Sequence, residues 1–152
     1  MRVGLFDSGI GGLTVLKTLI KKYPHCDYIY YGDTLNLPYG DKTHDELIKL
    51  ADDDIKFLLS KNVDMIIIAC GTISSNCFEY LKEKYNIPIK SILIDTTEYL
   101  NSINSNVLVI ATKATINSHF FKNNIKREII EVETPLLVPL IEGNDINKLK
   151  KV

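Results

Sequence analysis

A thiol stands where an apolar segment stops. The run Met65–Cys70, "MIIIAC", is greasy up to its last residue, and "GTISSN" then brings small and hydroxyl-bearing side chains. Cysteine is a common small core residue, so Cys70 is either the end of a buried strand or a nucleophile or base facing a site. A helix starting a few residues later would set the thiol near a positive helix terminus, which favours the reactive thiolate. A second stretch, "DSGIGG" from Asp7 to Gly12, packs glycines behind an apolar strand. Such a turn exposes backbone N–H groups that suit a carboxylate or a phosphate. It lacks the dinucleotide fingerprint and the lysine of a P-loop, and a purely structural turn accounts for the glycines equally well. Asp7 and Ser8 tilt the reading towards a site, because an apolar strand gains nothing by ending in a carboxylate. A third stretch, "GDTLNLPYGDKTHDE", is long for a strand-to-helix connection, and long loops often carry function. Within it Pro38 to Gly40 offers a stiff turn, a phenol and open backbone; a surface turn with Tyr39 packed on the domain is the alternative.

The elements that must position these groups follow from periodicity. "RVGLFD" and "DYIYYGD" read as strands, with a helix over "GLTVLKTLIKKY" expected to bury Leu13, Leu16, Leu19 and Ile20. "THDELIKLADDDIKFLLSKN" is the clearest helix: Leu47, Leu50, Ala51, Ile55, Leu58 and Leu59 form one stripe, and Thr43 with Glu46 forms a capping box. "VDMIIIAC" does not alternate, as expected for a strand buried on both faces. A helix over about Ser74 to Tyr85, a strand "PIKSILID", a short helix begun by "DTTE" and a strand "NVLVIAT" come next. A helix near "TINSHFF", a strand "REIIEVET" and a tail in which Pro139 starts or kinks a last helix complete the chain. This alternation predicts an α/β fold, a doubly wound, mostly parallel sheet flanked by helices. Ligands bind such sheets beyond the carboxyl ends of the strands, where strand order reverses. Asp7 and Cys70 should therefore share one rim.

Composition excludes several classes. The 152 residues suit one domain, spanning 1–152, and 18 Lys plus Arg against 19 Asp plus Glu leave a net charge of -1. That balance gives no footprint for nucleic acid or an acidic membrane surface, and no apolar run is long enough to span a bilayer. Three cysteines without paired spacing suggest a reduced, cytoplasmic protein without a thiolate metal site. His25, His44 and His119 read as solvated side chains, Cys26 and Cys77 as structural or surface thiols. The Arg that would close a cysteine-phosphatase loop is missing from "CGTISSN".

Taken together, "GLFDSGIGGLTVLK", "YGDTLNLPYGDK", "IIIACGTISS", "ATKATINS" and "PLLVPLIEG" resemble the glutamate racemases, of the aspartate/glutamate racemase superfamily. The resemblance implies a cofactor-independent isomerase of the cytoplasm that interconverts L- and D-glutamate by thiol proton transfer, for peptidoglycan synthesis. It implies that Cys70 is the first of two catalytic thiols and that Asp7 assists it. Asp7, Ser8, Tyr39, Gly40, Gly71, Thr72 and Thr115 take substrate-contacting positions, and Glu142 that of an acid near the second catalytic group. Two departures stand out. Gly71 replaces the family's usual Asn, and the chain ends before the family's second cysteine, so the second catalytic domain is expected to be absent. An exposed hydrophobic face and self-association, as a homodimer or through that face, are then expected. The alternative is a degenerate domain that binds an acidic amino acid or a protein partner without turnover; a phosphate-binding flavodoxin-like module is a third reading.

Overall fold

β1 (Arg2–Asp7) is buried from Val3 onward, as its unbroken apolar sequence requires of a central parallel strand. In the computed structural model, which describes residues 1–143, it lies between β2 (Asp27–Gly32) and β3 (Met65–Ile68), and β4 (Ile89–Ser91) flanks β3. All pairings in this sheet are parallel: Leu5 faces Tyr30 on one side and Ile67 on the other. The order β2-β1-β3-β4 reverses direction between β1 and β3, so their carboxyl ends open the crevice that the strand pattern predicts.

The helices cover the sheet. α1 (Leu13–Lys22) follows β1, and α2 (His44–Leu59) begins with the predicted capping box: Glu46 N–H donates to Thr43 Oγ1, and Thr43 N–H to the Glu46 carboxylate. Leu47, Ala51, Ile55 and Leu58 of α2 are buried with Phe6, Ile66 and Ile68 of the sheet and with Ile73, Cys77 and Leu81 of α3 (Gly71–Lys84). β5 (Leu108–Ala111) and β6 (Ile130–Glu133) make a separate parallel pair beyond α4 (Ile92–Ser102). Its own core is Leu93, Val109, Phe121 and Ile125. Here α5 (Lys113–Asn117) and α6 (Phe120–Asn124) pack on one face, and α7 (Leu137–Glu142) returns towards the first sheet.

Four expectations need correction. Leu13 and Ile20 of α1 are 45% and 46% exposed, and Leu16 and Leu19 are half-buried; α1 rests on the edge strand β2, which covers only one flank of it. α3 starts directly at Gly71, with Cys70 in extended conformation as its N-cap, instead of at Ser74. Ile92–Asp95, apolar enough to read as strand, are helical because the Ser91 hydroxyl caps the Leu93 N–H at 3.2 Å and starts α4 early. His119 does not lie inside a helix: it takes a left-handed φ of 54° and separates α5 from α6. The stretch from 144 to the end, including the last part of the expected tail helix, lies outside the described residues.

Candidate functional site

The strand ends deliver their side chains to one cavity of about 340 Å³ at the β1/β3 switch point. β1 contributes Asp7 and, one residue on, Ser8; Ala69 and Cys70 follow directly on β3; the start of α3 adds Gly71 and Thr72. The loop after β2 supplies Leu37 to Asp41, and the start of α5 supplies Thr112, Lys113 and Thr115. Glu142 comes from α7. Every candidate residue read from the sequence therefore lines the same space.

Local sequence explains the placement. Asp7 Oδ2 accepts the Gly12 N–H at 2.8 Å, which curls the glycine turn back over the end of β1. Gly12 has to be glycine: a Cβ there would lie 2.9 Å from Ala69 Cβ and 3.0 Å from Asp7 Cβ. Glu142 reaches the same turn, accepting the Ile10 N–H at 3.4 Å, while burial holds its carboxyl above the ordinary range. Gly40 lets the third loop press against α5, since a Cβ would come within 2.8 Å of Thr112 Cβ.

Cys70 is 3% exposed, and its Sγ donates to Ser8 Oγ at 3.4 Å. Burial, then the neighbouring Asp7 carboxylate, push the thiol up to about 11, against the pull of the Ser8 hydroxyl and the Ile73 and Ser8 N–H groups. Cys70 stands at the helix terminus as expected, and there desolvation and a like charge oppose the pull of the helix on the thiolate. Beside the thiol runs a chain of hydroxyls. Thr72 Oγ1 lies 3.0 Å from Thr112 Oγ1, Thr112 is 3.0 Å from Thr115 Oγ1, and Ser75 Oγ donates to Thr115 at 3.3 Å. These groups bind α3 to α5, and Thr72, Thr112 and Thr115 among them line the cavity with donors suited to a carboxylate.

Tyr39 differs from its expected part. The side chain is 2% exposed and its phenol turns away into the core, donating to Asp33 Oδ2 at 2.6 Å. Its backbone and ring wall the cavity while its hydroxyl is engaged beneath it. Sequence reasoning missed Thr112, which caps α5 through the Thr115 N–H, although the spacing in "TKAT" carries that signal. It also missed Asp33 and Asp54, both buried below the loop. Cys77 sits in the core, Cys26 is half-buried ahead of β2, and Cys70 is the one thiol among the described residues that lines the cavity. Among those residues no cluster of three metal-ligating side chains occurs, and no helix is long and apolar enough to cross a membrane.

No family model matches the chain. Among curated proteins it is 40% identical to a glutamate racemase of Hydrogenobaculum over 154 residues, covering 97% of this chain and 59% of that one. A Fusobacterium nucleatum glutamate racemase is 46% identical over 128 residues, 82% of this chain and 48% of its own. Of solved structures, the glutamate racemase of Thermus thermophilus in complex with beta-chloro-D-alanine superimposes with a TM-score of 0.86 at 34% identity, over 93% of this chain and 55% of that one. That of Francisella tularensis in complex with D-glutamate gives 0.86 at 37%, over 95% and 57%. The chain spans about half the length of the curated relatives it matches. In sequence and in fold it resembles the N-terminal portion of glutamate racemases.

Proposed function

We propose that this chain carries the glutamate-binding cavity and one proton-transfer group of a glutamate racemase, with Cys70 as that group. The observation that supports it most is the position of Cys70. It follows the carboxyl end of β3 at the switch point, hydrogen-bonded to Ser8, beside Asp7 and at the start of α3.

An amino acid is held here through its carboxylates by the hydroxyls of Ser8, Thr72, Thr112 and Thr115 and by the first N–H groups of α3. Its Cα is thereby set against the sulfur, so that a bimolecular proton transfer becomes an intramolecular one. In the reaction the Cys70 thiolate takes the α-proton: the C–H electron pair stays on the substrate as a carbanion next to its carboxylate, and sulfur becomes S–H. In the reverse direction the thiol returns that proton to the same face. Burial and the Asp7 carboxylate push the Cys70 thiol up to about 11, so its proton has to leave before the sulfur can act as the base, whereas as the acid of the reverse step it is ready as it stands. Inversion also needs a proton donor on the opposite face of the carbanion.

L- and D-glutamate incubated separately in D₂O provide the test, with α-proton loss followed by proton NMR and configuration by chiral chromatography. We expect α-proton exchange that disappears in Cys70→Ala. Inversion dependent on Cys70 identifies a second donor acting with this chain; exchange of one enantiomer identifies Cys70 as the only one at work. Binding of glutamate without exchange in either form would replace this reading by that of a binding domain. Exchange that survives in Cys70→Ala would remove Cys70 from the chemistry.

A further inference from the structure

Below the cavity, two buried carboxyls meet one phenol. Asp33, at the end of β2, and Asp54, midway along α2, are 3% and 2% exposed. The Tyr39 hydroxyl lies between them, donating to Asp33 Oδ2 at 2.6 Å and standing 3.4 Å from Asp54 Oδ2. Asn36 Nδ2 donates to both oxygens of Asp33, at 3.0 and 2.8 Å. Residues 37 to 41, which wall the cavity, run directly from this cluster. The groups that face it are Tyr31 from β2, Asp53 on α2, Cys70 at the end of β3, and Lys42, whose ammonium lies 5.9 Å from the Tyr39 ring centre. All but Lys42 are acids, and among the described residues no cation forms an ion pair with either carboxylate.

We infer that Asp33 and Asp54 are positioning residues for the Leu37–Asp41 wall, gripping it through Tyr39 while Asp54 is protonated and loosening it when Asp54 ionises. The inference rests on the cavity being the glutamate site only for its consequence on affinity, not for the motion of the wall. With Asp54 neutral, Tyr39 donates to a single anion, Asp33, and Asp54 has a proton of its own to share. With both ionised, two carboxylates compete for one phenolic proton across a few ångströms in a dry core, where repulsion is little screened. Burial and the Asp33 charge push Asp54 up to about 7. The sign follows: a folded-state pKa above the ordinary carboxylate range means that the protonated form is the one the fold favours, and the grip is lost as pH rises through neutrality. Tyr39, driven upward by burial and by the Asp33 bond, keeps its proton throughout.

Two measurements on the whole chain test this across about pH 5.5 to 8.5, the range over which such a group changes charge. The first is amide hydrogen exchange of residues 37 to 42, corrected for intrinsic rates. Protection is expected to fall above neutrality in the natural chain and to stay level in Asp54→Asn, whose amide keeps the shape without the charge. The second is glutamate affinity by calorimetry. It is expected to weaken above neutrality, approaching about tenfold per pH unit for one coupled proton, and to lose that slope in Asp54→Asn. Tyr39→Phe is expected to be weak and level at every pH. Protection of the wall that is independent of pH in the natural chain overturns the inference, as does a slope that persists unchanged in Asp54→Asn. Glutamate failing to bind at any pH would overturn the functional reading instead, and the exchange measurement alone would then decide the grip.

Discussion

At the scale of single residues, the balance at Cys70 sets how the site can work. Desolvation and the Asp7 carboxylate raise the thiol, while the Ser8 hydroxyl lowers it. These influences differ in sign, so they can be separated by substitution. Asp7→Asn removes a like charge and should bring the Cys70 pKa down towards the ordinary thiol range; Ser8→Ala removes a partner of the thiolate and should raise it further. The pH dependence of iodoacetamide alkylation, resolved by mass spectrometry at the Cys70 peptide, measures both. The rate of the natural chain should rise only on approaching pH 11, with Asp7→Asn shifted to lower pH and Ser8→Ala to higher. Equal profiles for the three proteins would mean that burial alone governs the thiol. The outcome bears on mechanism, because a substrate that covers the site while sharing its own charge with Asp7 changes the same two contributions.

At the scale of elements, legibility depended on whether one signal or several agreed. α2 carries both a capping box and an apolar stripe, and it forms as read. β1, β2 and β3 were legible from short apolar runs bounded by turns, and their order put Asp7 and Cys70 on one rim as the topology rule requires. Where a single signal spoke, another overrode it: the apolar "SILI" follows a capping serine into α4, and α1 keeps a stripe that little covers. Asp54 was hidden inside "DDD", which looks solvated, yet it sits three residues after Ala51 and four before Leu58 on the buried stripe. The start of α3 was missed because Gly71 is a poor helix former. That residue gives a test at this scale. A Cβ on Gly71 meets nothing within 4 Å, so Gly71→Ala should stabilise the fold by up to about 1 kcal/mol through reduced unfolded-state entropy. Urea unfolding would show a higher midpoint at unchanged slope. A lower midpoint would mean that the glycine meets a constraint of backbone or bound substrate that packing does not reveal.

At the scale of the whole molecule, two sheets meet around the cavity, and each leaves apolar side chains in the open. On the β5–β6 pair the residues of one face, Leu108, Ile110, Ile130 and Val132, are 60%, 55%, 66% and 43% exposed, while Val109 on the other face is buried. On α1 and its preceding turn, Ile10, Leu13 and Ile20 are similarly bare. Scattered exposed apolar residues are ordinary, but a contiguous row on an uncovered parallel pair is not, since parallel sheets normally have both faces covered. The edges of a two-stranded sheet add unpaired backbone groups to that row. The chain in solution is therefore expected to self-associate through the β5–β6 face, more strongly than its near-neutral charge alone would give. Light scattering over a concentration series should show the mean mass rising above 17.2 kDa. Leu108→Lys combined with Ile130→Lys, neighbours in the strand register, should return it towards the monomer, because burying two ammonium groups in the contact would oppose it at several kcal/mol. Neither residue lines the cavity, so Cys70 alkylation reports whether the cavity survives. A constant monomer mass at all concentrations would show that this face is tolerated bare; association undiminished by the two lysines would move the contact to α1.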